Sequence, residues 1–374
     1  MSSRQAEPSR RRGAAALPSV AVVEAGSVPG SRVTAALVRA AEAAGNTAPV
    51  VAVDARPATL TEAIVPEASW RQADPATPAV LDALRGVDAV VWVAASADLQ
   101  AALAQRASAR RARMVRTAQT LVTAAAAAGA HRLVVVTSAK VYGARADNAV
   151  PLPEEAPLRA TPDDGVVGDL LAVEQILATA RSVHPGLAVT VVRPAALVGP
   201  GVDTVVTRHF EAPRLLTVKG AHPAWQFCHV EDLAAALVVV LRRDPTPVVT
   251  VGCDGWLAQS QLETLTGMRH VELSPAAALG TAQRLHRVGV LPAPASELAL
   301  ALYPWAVDSA TLRTAGWEPA YDNETCVGVL LESISGRHAV GGRRVNPRDA
   351  ALGAASAAVA LVGTAAAVRR ARKR

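Results

Sequence analysis

Short valine-rich runs recur along this chain, at 20–23, 50–53, 87–95, 133–136, 187–192 and 248–252, and each stops at small or polar residues or a proline. Apolar runs this short and this continuous read as strands buried on both faces. Between them the apolar residues fall at helical spacing: Val33, Leu37, Val38 and Ala41 lead to Gly45, a long segment from Ser108 stops at Gly129, and 168–181 follows. Strands and helices alternating at these lengths predict an α/β fold, a doubly wound parallel sheet with helices on both faces.

The stretch 133–143, LVVVTSAKVYG, sits at the middle of this series. In an open α/β sheet, ligands gather beyond the carboxyl ends of the strands. Ser138 therefore arrives where chemistry would be done, with Lys140 and Tyr142 close behind it. The first run, 20–23, leads into Glu24, Gly26, Ser27, Pro29 and Gly30 and then into a helical pattern, the strand–turn–helix that opens a dinucleotide-binding unit. The second run ends at Asp54, 24 residues after Gly30 and near the ~20-residue offset at which an acid receives ribose hydroxyls.

Charge and composition narrow the function classes. The net charge of +6 is carried by the ends: residues 1–18 hold +3 and residues 335–374 hold +8, leaving the body at −5. Nucleic-acid recognition needs a basic face on the folded domain, so no nucleic-acid partner is expected. Cys228, Cys253 and Cys326 are too dispersed for a disulfide framework or a thiolate zinc site, and the eight histidines are scattered. No metal is expected, and a reducing cytoplasmic compartment fits.

Several pieces in the order found here resemble the extended short-chain dehydrogenase/reductases, the NAD-dependent epimerase/dehydratase family. These are the turn at 20–45, Asp54, Asp74, GVDAVVWVAA at 86–95, TSAKVYG at 137–143, VVRPAALVGPG at 191–201, QFCHVEDLAAAL at 226–237 and AGWEP at 315–319. The likeness covers roughly 19–334 and looks closest to an actinobacterial branch resembling UDP-glucose 4-epimerases. It implies a Rossmann-type sheet (nucleotide-binding part about 19–185) with a small C-terminal substrate lobe (about 195–335). It also implies NAD as cofactor, a nucleotide or nucleotide-sugar ligand, and a homodimer. Asp74, Ala94 and Ala95 would line the cofactor with Gly26, Ser27, Gly30 and Asp54. Arg193 and His229 would frame the substrate side, although Arg193 can equally pair with an acid and His229 can serve as a structural hydrogen-bonder.

The same likeness shows what is altered. The family's first turn carries G-x-x-G-x-x-G; with Gly30 as the third glycine, Glu24 and Ser27 stand at the first two positions. A carboxylate there adds negative charge beside a pyrophosphate, so a weakened dinucleotide site is expected. The family's acid/base pair is Y-x-x-x-K, in which the lysine lowers the tyrosine pKa. None of the chain's three tyrosines has a lysine four residues on. Aligning the helix on Glu174 places Val166 at the tyrosine and Leu170 at the lysine, and neither exchanges a proton. Ser138 remains, with Lys140 and Tyr142 as stand-ins, and Asp164 and Asp169 lie near the same helix start.

Residues 1–18 read as a disordered basic leader and 336–349 as a linker. Residues 350–368 are uncharged, ten of the nineteen being alanine, and a basic end follows. As a helix, 350–368 would span about 28 Å, near the ~30 Å of a bilayer core. An anchor in the membrane, contact with its surface and a self-associating helix are all open. Two functional readings stand: a catalytically degenerate relative that binds a nucleotide or nucleotide sugar, or at the membrane a protein partner, and an active epimerase/dehydratase or reductase using non-standard residues.

Overall fold

The computed structural model describes residues 17–45, 49–61, 65–288 and 293–335, together with the backbone of two short strands at 339–340 and 343–344. Residues 1–16 of the expected leader and the alanine-rich tail fall outside the described residues, whereas Leu17, expected from sequence to belong to the leader, is buried in the core.

Seven parallel strands form one sheet: β1 (Val20–Val23), β2 (Val50–Asp54), β3 (Ser69–Gln72), β4 (Ala89–Val93), β5 (Arg132–Val136), β6 (Ala188–Pro194) and β7 (Val248–Val251), in the order β7-β6-β5-β4-β1-β2-β3. The order reverses between β1 and β4, and that reversal opens a crevice at the carboxyl ends of the strands. Successive strand residues face opposite layers. Val20 and Val22 enter one core with Val50, Val91 and Val134, while Ala21 and Val23 enter the other with Val51, Trp92 and Leu133. The expected parallel sheet is therefore present, and its β-branched content follows from burial on both sides.

Helices α1 (Val28–Ala43), α2 (Ala107–Ala127), α3 (Val166–Val183) and α4 (Val230–Arg242) cover it. Val33, Leu37, Val38 and Ala41 of α1 pack into the first core beside Leu233 and Leu237 of α4, and Leu121 and Leu177 of α2 and α3 fill the second. Each such valine or leucine contributes about 1.5–3 kcal/mol by leaving water. Arg132, at the start of β5, donates to the carbonyls of Val240, Leu241 and Arg243, so a cation satisfies the acceptors left at the end of α4.

The second half is more broken than the sequence pattern implies. Three two-stranded pairs join Ala196–Val198 to Phe227–His229, Leu215–Val218 to His270–Leu273, and Ala224–Trp225 to Leu257–Ala258. These runs of two to four residues are too short to show a period. Helix α4 and strand β7 lie within 195–335 but belong to the sheet layers, so the chain enters the smaller lobe, returns to the sheet and leaves it again. Among the described residues no helix is long and apolar enough to cross a membrane; the tail proposed for that role lies outside them.

Candidate nucleotide cleft

A cleft of about 1100 Å³ lies along the carboxyl ends of β1, β2, β4 and β5. Glu24, Gly26, Ser27, Asp54, Ala94, Ala95, Ser138, Lys140, Val166 and Leu170 all line it, so residues spread over 147 positions of sequence meet in one space.

At one end lies the β1–α1 turn. Glu24 takes a left-handed conformation, with φ of 62°, uncommon for a residue with a side chain. Its carbonyl accepts the Ser27 amide at 3.0 Å and the Ser27 hydroxyl at 2.8 Å. The Ser27 oxygen in turn accepts the Gly30 amide at 3.1 Å and caps the helix. A Cβ on Gly30 would sit 2.2 Å from the Glu24 carbonyl oxygen, and glycine is what allows that approach. The turn consumes donors that a phosphate would use. Pro29 has no N–H, Gly30 is engaged, and Val28 alone of the first three helical residues keeps an amide without an acceptor among the described residues.

The Glu24 carboxyl is shifted from 4.5 to about 7, first because burial disfavours its charge and second because Asp54 is close. Arg113 and Arg56 oppose the shift, as does the indole of Trp92, whose buried N–H lacks a partner at hydrogen-bonding geometry. The glutamate thus brings to the turn a carboxyl poised to lose its proton near neutral pH.

Asp54 is nearly saturated by its own chain. One oxygen accepts the Gly26 amide at 2.9 Å, the other accepts the Arg56 amide at 3.0 Å, and the Arg56 Nε lies 3.1 Å away. A Cβ on Gly26 would come within 2.6 Å of the Arg56 guanidinium and 2.9 Å of the Asp54 carboxylate, so these side chains would have to shift to admit one. Asp74 accepts the Ala76 amide and both terminal nitrogens of Arg113. Partial burial opposes its ionisation, but these donors outweigh burial and hold its pKa below the usual value.

At the other end, Ser138 leaves β5 and caps a single 3-10 turn, Ala139–Tyr142, its oxygen accepting the Lys140 amide at 3.3 Å. Val166 and Leu170, one turn apart on α3, bring hydrocarbon to the cleft. Asp169 faces the opposite requirement: Arg110 Nε and Arg111 Nε hold it at 2.5 and 2.8 Å. It ties α2 to α3.

Tyr142, Arg193 and His229 have other tasks and do not line the cleft. The Tyr142 hydroxyl donates to the Glu154 carbonyl at 2.7 Å and accepts from Arg193 Nη1 at 2.9 Å. Burial raises its pKa, the wrong direction for a general base. Arg193 is bound by Glu174, the acid for which pairing was left open from sequence. His229 caps α4, its Nδ1 accepting the Glu231 amide at 3.3 Å, and its ring stacks on Tyr321 with centroids 3.8 Å apart. Burial lowers its pKa.

Glu297, which sequence reasoning passed over, reaches this region from the short helix Ala295–Leu298 and accepts the Val167 amide at the start of α3. It is 130 positions from Val167, and no local pattern announces it. Its carboxyl is raised from 4.5 to about 7 by burial, against the favourable charge of Lys140.

Among the described residues no group of histidine, cysteine and acidic side chains could hold a metal ion. For a dinucleotide the fit divides. The cleft has the volume and Asp54 lines it, whereas Asp74 and Gly30, expected from sequence at the cofactor, are not among its lining residues, and the phosphate turn offers few free amides and a carboxyl.

The model of the NAD dependent epimerase/dehydratase family matches residues 32–252. The fold is similar to that of UDP-glucose 4-epimerase from Thermotoga maritima, solved with UDP-glucose, at a TM-score of 0.61 and 17% identity over 84% of this chain and 98% of that one. It is likewise similar to the dTDP-glucose 4,6-dehydratase DesIV of Streptomyces venezuelae, solved with NAD, at 0.61 and 18% over 84% and 98%. Uncharacterised proteins of Mycobacterium bovis and Mycobacterium tuberculosis are 28% identical over 130 residues, and the match spans about a third of their length, 35% of each chain. By its sheet order, its cleft and a family match over more than half its length, the chain belongs to the NAD-dependent epimerase/dehydratase family.

Proposed function

We propose that this chain binds a nucleotide or nucleotide sugar in the cleft and has given up the family's redox cycle. One observation carries the reading: the cleft is open, at about 1100 Å³, yet the two α3 positions facing it where the family places its acid/base pair are Val166 and Leu170. A binding site that keeps its space and loses its proton-transfer groups is suited to holding a ligand. The altered phosphate turn supports weak retention of NAD, since the Glu24 carboxyl and the engaged Gly30 amide both reduce what a pyrophosphate gains there.

A second reading, turnover by other groups, draws on Lys140, whose pKa burial lowers to about 8 and which lines the cleft near Ser138. A titrating group near the working pH is what general acid–base chemistry needs.

Calorimetric titration with NAD, UDP-glucose and dTDP-glucose, followed by incubation of the bound mixtures, tests the choice. Micromolar binding of a sugar nucleotide, with no absorbance change at 340 nm and no new sugar by NMR, is the expected result. Steady formation of an epimer, a dehydrated sugar or a reduced nicotinamide would overturn it in favour of the second reading. No binding of any of the three would remove both.

A further inference from the structure

The three cysteines, dispersed in sequence, are brought together by the fold, and all three are buried and free. Cys253 lies two residues past the end of β7, and Cys326 lies in the helix Asn323–Ile334. They are 73 positions apart, yet their sulfur atoms are 3.7 Å from each other. Cys228, on the strand Phe227–His229, interacts electrostatically with both, but its own sulfur contact is to the His229 carbonyl at 3.6 Å.

The backbones that carry the close pair are anchored to each other. The Cys253 amide donates to the Phe227 carbonyl at 2.9 Å, and its carbonyl accepts from the Gln226 side chain at 2.9 Å. Asn323, in the first turn of the helix that holds Cys326, accepts the Phe227 amide at 3.0 Å and donates to the carbonyls of Asp254 and Gly255. The start of this helix is therefore fixed against the residues on either side of Cys253. A disulfide needs its sulfurs at about 2.05 Å, so from 3.7 Å the pair must close by about 1.7 Å, a distance that rotation about the two Cα–Cβ bonds can cover.

We propose that Cys253 and Cys326 form a dithiol modification site, which hydrogen peroxide oxidises to an intramolecular disulfide that staples the helix Asn323–Ile334 to the end of β7, while Cys228 stays a thiol. In the first step one sulfur, as thiolate, attacks a peroxide oxygen; the O–O bond breaks, a sulfenic acid forms, and the departing hydroxide takes up the thiol proton as water. In the second, the other sulfur attacks the sulfenic sulfur, the S–S bond forms, and the sulfenic oxygen leaves with the second thiol proton as water. Two thiols give up two electrons, the peroxide accepts them, and two waters are released. Burial governs the rate. The neighbouring Cys253 and the loss of water hold the Cys326 thiol in its protonated form, and the thiolate is the reactive species. Attack therefore waits for the helix to lift from β7 and admit water and oxidant together. The pair is slow to react in the closed fold, and the disulfide, once formed, prevents that opening. The cleft and its ligand play no part in this chemistry.

The test treats the full chain, reduced and freed of reductant, with hydrogen peroxide at neutral pH, with and without urea below the unfolding transition. Remaining thiols are alkylated in denaturant, and peptides are mapped by mass spectrometry without reductant. The expected product is one cross-linked pair of peptides carrying Cys253 and Cys326, lighter than the two thiol peptides by two hydrogens, with Cys228 alkylated. It should form several-fold faster in urea and revert with dithiothreitol. The oxidised chain should melt several degrees above the reduced one, because the closed loop restricts the unfolded state. Cys228→Ala should still form the cross-link and Cys326→Ala should not. Three free thiols after treatment, with and without urea, overturn the proposal, as do sulfinic or sulfonic acids at Cys253 and Cys326 with no cross-link. A cross-link through Cys228, or one between two chains, overturns it as well. The mapping of the wild-type chain decides among these without any variant having to fold.

Discussion

Arg193 and Glu174 form a buried, two-pronged ion pair, with Nη2 2.6 Å and Nε 3.2 Å from Oε2 and Nε also 3.1 Å from Oε1. Thr137 donates to the same carboxylate at 2.7 Å, and the guanidinium lies 4.7 Å over the Tyr142 ring. The pair ties β6 to α3 directly behind the Ser138 loop. Removing one member leaves the other charge buried, which typically costs 3–5 kcal/mol. Glu174→Gln should therefore lower the urea midpoint severely, by about that free energy. Glu174→Leu combined with Arg193→Met should recover much of the loss, because neither charge then remains to be desolvated.

Glu24 predicts a pH dependence whose sign is fixed by its raised pKa. Between its ordinary value of 4.5 and the folded value of about 7, the folded chain holds a proton that the unfolded chain has released. Stability is therefore greatest below this window and falls as pH rises through it. Glu297 shifts in the same direction, to about 7, and contributes to the same fall. Glu24→Gln should match the wild type near pH 4.5 and exceed it by about 1–3 kcal/mol at pH 8, read from denaturant midpoints across the pH range.

Restoring glycine at position 24 should strengthen dinucleotide binding. Glu24→Gly removes a carboxyl from the phosphate turn and suits a backbone with φ of 62°. NAD affinity measured by calorimetry at pH 8, where the glutamate is ionised, should rise about tenfold, and less at pH 6, where most of the wild-type carboxyl is already neutral. An unchanged affinity at both pH values would mean that the carboxyl points away from the pyrophosphate.

Two glycines should respond to alanine in opposite directions. Gly30→Ala drives a methyl group against the Glu24 carbonyl, 2.2 Å away, and should destabilise by about 1–3 kcal/mol while disturbing the ligand turn. Gly280, inside the helix Pro275–Arg287, has nothing within 4 Å of an added methyl group. Gly280→Ala should stabilise by roughly 0.5–1 kcal/mol through helix propensity. Thermal midpoints of the two variants check the contrast.

The sequence by itself determined the sheet. Valine-rich runs followed by helical spacing gave away six of the seven strands and the helices that cover them, because burial on both faces writes itself into neighbouring residues; β3, Ser69–Gln72, is an edge strand without a valine and only partly buried. The positions of Glu24, Val166 and Leu170 were legible for the same reason, as departures from short local patterns. The pairing of charges was decided only in three dimensions. Arg193 could have met a ligand or an acid, and it is the packing of α3 against β6 that hands it Glu174. Asp169 lay near the helix start with its partner open until α2 brought two arginines to it, and Tyr142 was a catalytic stand-in until the Glu154 carbonyl and Arg193 took both sides of its hydroxyl. Glu297 comes from 130 positions beyond Val167. Periodicity records which side of an element is buried, whereas the partner of a buried charge is set by which elements the fold lays side by side.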